Sequence, residues 1–287
     1  MTTALFHRWI RVHFCALAAL FLIALLPPSR AAATESEWRL LEASGVPADR
    51  VPHYLAAIDA LAADCRASMR TDAAISERIR AVHEFLHERV LHGKYVASAS
   101  DVGQALDGGP FNCVAATLLL RMIGERCGVD AAIMSTRGHV WFRAVERGKN
   151  GKVSTIDVES TCHNWFEIAT KYRHTPTERV SPAMRAHRER IVTGRALADR
   201  QILAVMHFNR GVTLIRENRL AAAAWSNLQA VSLDTDCQPA RENLAAVAKQ
   251  LRFDQDVSLG TQSRLILWAI QATVERNSPS TSPLAAR

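Results

Sequence analysis

Apolar positions along the chain recur with two different periods, and the change of period divides it into parts. Val51 to Met69 and Asp72 to Leu91 carry apolar residues at helical spacing; in the second, Ile75, Ile79, Val82 and Leu86 share one face. Residues 36–92 are therefore predicted to be helices. Residues 93–112 show no period and end in Gly108-Gly109-Pro110, a strong turn signal. Asn112 then suits the N-cap of a helix with body Val114 to Arg126, and Gly128 its C-terminal stop. Beyond it the pattern turns to strands. Ala131 to Ser135 is a short apolar run, and His139 to Val145 and Val153 to Val158 flank a hairpin connection, Glu146 to Lys152. From Pro182 onward the pattern is helical again, and the Ser/Pro-containing stretch 278–287 reads as a disordered tail. Together these elements predict an α+β protein with a small antiparallel sheet, followed by an all-α region.

Residues 1–33 fit a targeting segment better than a folded element. Arg8 and Arg11 precede 13 uninterrupted apolar residues, Phe14 to Leu26. Pro27-Pro28 ends the run, and Ala31-Ala32-Ala33 supplies the small residues a signal peptidase requires. A membrane span needs about 20 such residues, so a cleavable signal peptide is the leading reading and an uncleaved N-terminal anchor the next. Cys15 lies inside the apolar run without small residues before it, which argues against a lipoprotein anchor. Export to a periplasmic or extracellular space follows from either reading, with membrane anchoring only in the second. The remainder of the chain divides into 36–175, 176–276 and 277–287.

The targeting segment also changes the charge balance. The whole chain carries 35 Lys and Arg against 28 Asp and Glu, or +7; residues 1–33 hold three of the Arg and no acid, leaving 32 minus 28, or +4. That excess is too mild to indicate nucleic acid. Lys171 to Arg200 is locally basic and reads as a solvated helix face, with an anionic polymer or lipid headgroup as the alternative partner. Five cysteines remain beyond residue 33: Cys65, Cys113, Cys127, Cys162 and Cys237. No CxxC occurs, so zinc-ribbon and thioredoxin chemistry have no support. Sequence alone leaves a Cys127–Cys162 disulfide open.

Cys113 stands at the first turn of its helix, where N–H groups and the helix dipole favour a thiolate and could hold an oxyanion. His139 opens a strand, and Asp157 and Glu159 sit two apart near the end of the next, on one face. A hairpin centred near 148 sets His139 opposite Asp157; one centred near 149 sets it opposite Glu159. A tight turn at Asn150-Gly151 would instead put both acids on the wrong face. A loop of three to five residues is expected.

Three ordered blocks carry a family resemblance: Asn112-Cys113-Val114-Ala115-Ala116-Thr117-Leu118-Leu119, then Gly138-His139-Val140-Trp141, then Val158-Glu159-Ser160-Thr161. Over roughly 72–167 they resemble the bacterial transglutaminase-like superfamily. The resemblance implies a papain-like thiol fold with Cys, His and an acid in chain order. Cys113 carries over as nucleophile and His139 as general base. Glu159 fits the acid-x-Thr block slightly better than Asp157, which stays an alternative. Neither a cofactor nor a metal is implied; the substrate class is a protein or peptide amide. Residues 200–252 resemble a tetratricopeptide repeat. Phe208-Asn209-Arg210-Gly211, Ala222-Ala223 and Ala230-Val231-Ser232-Leu233-Asp234 fit it, and a shift of 34 residues brings Asn209 onto Asn243. Thr235 and Asn227 depart from that pattern, and a generic helical hairpin is the plainer alternative. Such a region implies a protein partner.

Two further motifs compete. His83-Glu84-Phe85-Leu86-His87 matches the HExxH pattern of zinc proteases, but Val90 breaks its extension and the helix is amphipathic enough to leave these residues on the surface. His163-Asn164 faintly echoes a papain-type His and Asn. The expectation is an exported thiol hydrolase or acyltransferase acting on peptide-like amides. A catalytically silent binding or scaffold protein with the same fold is the alternative.

Overall fold

The computed structural model describes residues 29–136, 138–147, 151–164, 182, 185 and 194–250. The chain divides into two compact units, 1–37 and 38–287, with the boundary inside helix α1 (Ser29–Ser44). Most of the targeting segment, the greater part of the basic stretch and the C-terminal tail lie outside the described residues. No described helix is long and apolar enough to cross a membrane.

In the second unit, helices α2 (Val51–Ala67) and α3 (Ile75–Arg89) fall where the apolar spacing predicts them. The aperiodic stretch after them holds one short helix, α4 (Val102–Leu106), which sequence spacing does not reveal. Helix α5 (Cys113–Arg126) is the centre of the fold. Every residue from Cys113 to Leu120 is buried, and Leu119, Leu120 and Ile123 are fully so. A helix apolar on all sides must be covered on all sides. Here α2, α3 and α4 cover it on the helical side, and the sheet covers it through β1 and β2. Burying each of its large side chains contributes about 2 kcal/mol.

The sheet is antiparallel with order β3-β2-β1-β4, from β1 (Ala131–Thr136), β2 (His139–Arg147), β3 (Val153–Val158) and β4 (Arg195–Ala196). The mixed α+β character expected from sequence is present. The edge strand β4 is not in the sequence reading, which treats the chain as helical from Pro182. Two residues paired to Met134 and Ser135 are too few to show a period.

Helices α6 (Asp199–Arg216), α7 (Leu220–Leu233) and α8 (Gln238–Gln250) follow. Ile202 and Met206 of α6 join the main core; Leu214, Ala223, Ala224 and Val247 make a second, smaller one. Gly211 marks the close approach of α6 and α7, since a Cβ there would collide with the Asn227 side chain. Asn227, fully buried, donates to the Ala223 carbonyl at 2.8 Å and so is satisfied within its own helix.

Candidate active site

The nucleophile candidate is placed by its helix start. The Asn112 side-chain oxygen accepts the Val114 and Ala115 N–H groups at 2.9 and 3.1 Å, while its Nδ2 donates to the Ala97 carbonyl at 3.0 Å. Cys113 is thereby the first residue of α5, 8% exposed. This cap also corrects one expectation. The N–H groups of Val114 and Ala115 serve Asn112, so they are not the donors for an oxyanion.

The β2–β3 register decides where the acids go. Phe142 pairs with Val158, Arg143 with Asp157 and Arg147 with Val153, which leaves five residues, 148–152, between the strands. The loop has the expected length, but the hairpin is centred at 150 rather than 148 or 149. Neither acid is therefore directly opposite His139. His139, Trp141 and Arg143 still share a face with Asp157 and Glu159. Asp157, opposite Arg143, is engaged there: it accepts Arg143 Nε at 2.7 Å, Arg143 Nη2 at 3.0 Å and Trp141 Nε1 at 2.8 Å. It is Glu159, one step past the ladder, that reaches His139, with Nε2 and Oε2 2.6 Å apart. The other oxygen of Glu159 accepts the Thr161 hydroxyl at 2.8 Å and the Thr161 N–H at 3.3 Å. The acid-x-Thr spacing thus has a local function, to hold the carboxylate in one orientation.

The Cys113 thiol is the other group that acts on the His139 ring. Glu159 occupies Nε2. Burial works against a charged imidazole. The hydrogen bonds to Cys113 and Glu159, with the negative charges of both, outweigh it and raise His139 to about 9. Burial pushes the Glu159 carboxyl up, but His139 and the Thr161 hydrogen bonds bring it below its ordinary value.

The frame around the pair is closed. Thr117, one turn after Cys113 on α5, shares a 2.7 Å hydrogen bond with Ser160, next to Glu159. Behind His139, the Trp141 ring lies nearly parallel at 6.1 Å, steered by Asp157 through its indole N–H. His83 Nε2 meets the Glu159 carbonyl at 3.3 Å from beneath. His83 is fully buried, contrary to the surface position expected for it, because the Glu159–Ser160 segment covers this face of α3. Its ring lies 4.6 Å from that of His87, which in turn faces His163 at 5.4 Å. Glu84 of the same motif is exposed, and among the described residues no three His, Cys, Asp or Glu side chains form a group able to hold a metal. His163 is exposed and bonds Asn164, not Cys113.

Tyr95 is a site residue that sequence reasoning misses. The segment around it runs beside Phe111, with Val96 N–H donating to the Phe111 carbonyl at 2.9 Å and Phe111 N–H to Lys94 at 3.3 Å. Gly93 permits this, because a Cβ there would strike the Gly109 backbone. Tyr95, 53% exposed, stands near enough to Cys113 for the thiol to act on its phenol. Burial, followed by the charge and hydrogen bond of Cys113 and the charge of Glu159, pushes this phenol up. The aperiodic loop carries no signal for such a placement; only the Gly93 and Gly109 pair hints that two backbones meet. Compared with protein-family models, curated proteins and solved structures, the chain matches none.

Proposed function

We propose that the protein is an exported thiol hydrolase or acyltransferase acting on peptide-like amides. One observation carries this reading: the His139 ring, on which the Cys113 thiol acts, stands 2.6 Å from a buried, oriented Glu159 carboxylate. The imidazole accepts the Cys113 proton, and the thiolate attacks an acyl carbon, whose C=O electron pair moves onto oxygen. The imidazolium, held charged beside Glu159, then protonates the leaving amine as the C–N bond breaks and a thioester forms. Water completes a hydrolysis; a second amine completes a transfer. We assign the Cys113 amide and the Tyr95 hydroxyl as donors to the developing oxyanion. The transglutaminase-like resemblance supports the same chemistry, and the α6–α8 hairpins, read as a tetratricopeptide-like repeat, supply a face for a protein partner. Export rests on the targeting character of residues 1–33.

A silent scaffold is the second reading, favoured by the small exposure of Cys113 beneath Tyr95. Alkylation by iodoacetamide, mapped by peptide mass spectrometry, separates the two. An enzyme shows Cys113 labelled at pH 7 at least about tenfold faster than the half-buried Cys237, an advantage that His139→Ala removes. Labelling of Cys113 no faster than an ordinary exposed thiol overturns the enzyme reading.

A further inference from the structure

We propose that Cys65 and Cys127 are a disulfide-forming pair that staples α2 to the C-terminal end of the nucleophile-bearing helix α5. Both are free thiols, buried at 0% and 5% exposure, and each is the strongest influence on the ionisation of the other. The surrounding contacts bring the two helices together at this point. Cys127 Sγ lies 3.8 Å from the Ala62 carbonyl, Arg126 Nε bonds Asp59 at 2.6 Å, and Arg66 Nη1 donates to the Arg126 carbonyl at 2.8 Å. Asp59, Ala62, Cys65 and Arg66 lie on one face of α2, and that face receives the end of α5. Cys127 is the helix C-cap, so its backbone is fixed by bonds to Ile123 and Gly124.

The other thiols are employed or placed elsewhere. Cys113 acts on His139, and Cys162 lies beside His83. The Cys127–Cys162 pairing left open by the sequence is thus replaced by Cys65–Cys127. Cys65, with Arg66 and Arg78 nearby, holds the Cys127 thiol below its ordinary value despite burial, while Cys65 itself is pushed up, so Cys127 is the readier of the two to lose its proton.

Oxidation removes two protons and two electrons, and the acceptor is a second disulfide, such as oxidised glutathione or a dithiol oxidase. Cys127 thiolate attacks one sulfur of that disulfide, forming a mixed disulfide and releasing one thiolate. Cys65, having lost its proton to solvent, attacks Cys127 Sγ and releases the second. Neither sulfur is open to a bulky reagent in the folded chain, so the exchange belongs to folding, before α2 closes over α5. The proposal draws on export only for where the chain meets its oxidant.

The test is to refold the full chain in a glutathione redox buffer, block remaining thiols with N-ethylmaleimide and digest without reductant. A Cys65–Cys127 linked peptide, two hydrogens lighter than its halves, is expected. Refolding in reductant instead of the redox buffer gives a protein that melts several degrees lower, and Cys65→Ser, which lacks the linked peptide, shows no such difference. Recovery of Cys65 and Cys127 as N-ethylmaleimide adducts, or of Cys127 joined to Cys162, overturns the proposal. Because Cys113 reactivity is read on a different peptide, failure of the thiol-enzyme reading and failure of this cross-link are distinguishable.

Discussion

Replacing Glu159 by Gln keeps the shape of the acid and removes its charge, which makes it the sharpest probe of the site. His139 rises from 6.5 to about 9 in the folded protein, a difference that corresponds to about 3 kcal/mol of preference for the imidazolium. The contact is 2.6 Å between side chains 14% and 9% exposed, so solvent screening is limited. With charge centres about 4 Å apart and an effective dielectric near 20, the ion pair alone is worth roughly 4 kcal/mol before burial is subtracted. Assigning Glu159 about half of the net effect and Cys113 the rest, Glu159→Gln lowers the His139 midpoint by roughly 1.5 pH units. The sign of the stability effect follows. A raised imidazole contributes fully below 6.5, and the contribution is lost as pH rises toward 9. Wild-type stability should therefore decline across that window by up to about 3 kcal/mol on this account, and the variant by about 1. Titration of the His139 ring resonances by NMR gives the midpoint, and urea unfolding at pH 6 and pH 9 the slope. A midpoint within about half a unit of wild type would refute the reasoning.

Asp157→Asn should destabilise the protein by about 1–2 kcal/mol, through loss of the Arg143 and Trp141 bonds, and change Cys113 alkylation less than roughly threefold; a loss matching that of Glu159→Gln would assign Asp157 a direct part. Tyr95→Phe should slow acyl transfer from p-nitrophenyl acetate about a hundredfold while alkylation of Cys113 stays within about threefold; parallel loss of both would show that Tyr95 only shapes the loop. His83 and His87 are both lowered to about 4, chiefly by burial, so the unfolded chain takes up protons below 6.5 that the folded chain refuses. Stability should then fall as pH drops from 6.5 toward 4, by up to about 2.7 kcal/mol per pH unit for the two together; a slope below about 1 in urea unfolding between pH 5 and pH 6 would contradict their burial as neutral rings.

How far the site can be read without coordinates depends on whether each placement is local. The start of α5 is local: Asn112 and Gly128 bracket a run of apolar residues, and both boundaries fall within a residue of expectation. The Glu159 orientation is also local, since Thr161 two residues on supplies both donors to Oε1. The choice between Asp157 and Glu159 is not. It depends on the hairpin register, which the polar loop 148–152 conceals, and on Arg143, whose charge fixes Asp157 only once the two are opposite. Tyr95, the burial of His83 and the proximity of Cys65 to Cys127 all need contacts between segments 18 to 76 residues apart, and no period of apolar residues encodes those.

That division has a mechanical consequence. A nucleophile and a base from separate elements stay within hydrogen-bond reach only if something other than their own bond holds the elements in register. Here the register is held one turn along the helix. Thr117 and Cys113 share a face of α5, and Thr117 bonds Ser160, whose neighbour Glu159 bonds the His139 ring on which Cys113 acts. The ring of contacts begins and ends on the same helix. Any movement of the acid segment relative to α5 must break the buried Thr117–Ser160 bond as well as the exposed side of the site, so the imidazole is located by two attachments rather than one. The most buried helix of the fold therefore carries both the sulfur and the anchor for its partners. Such an arrangement, maintained by the apolar core, is what the proposed thiol chemistry needs for preorganisation.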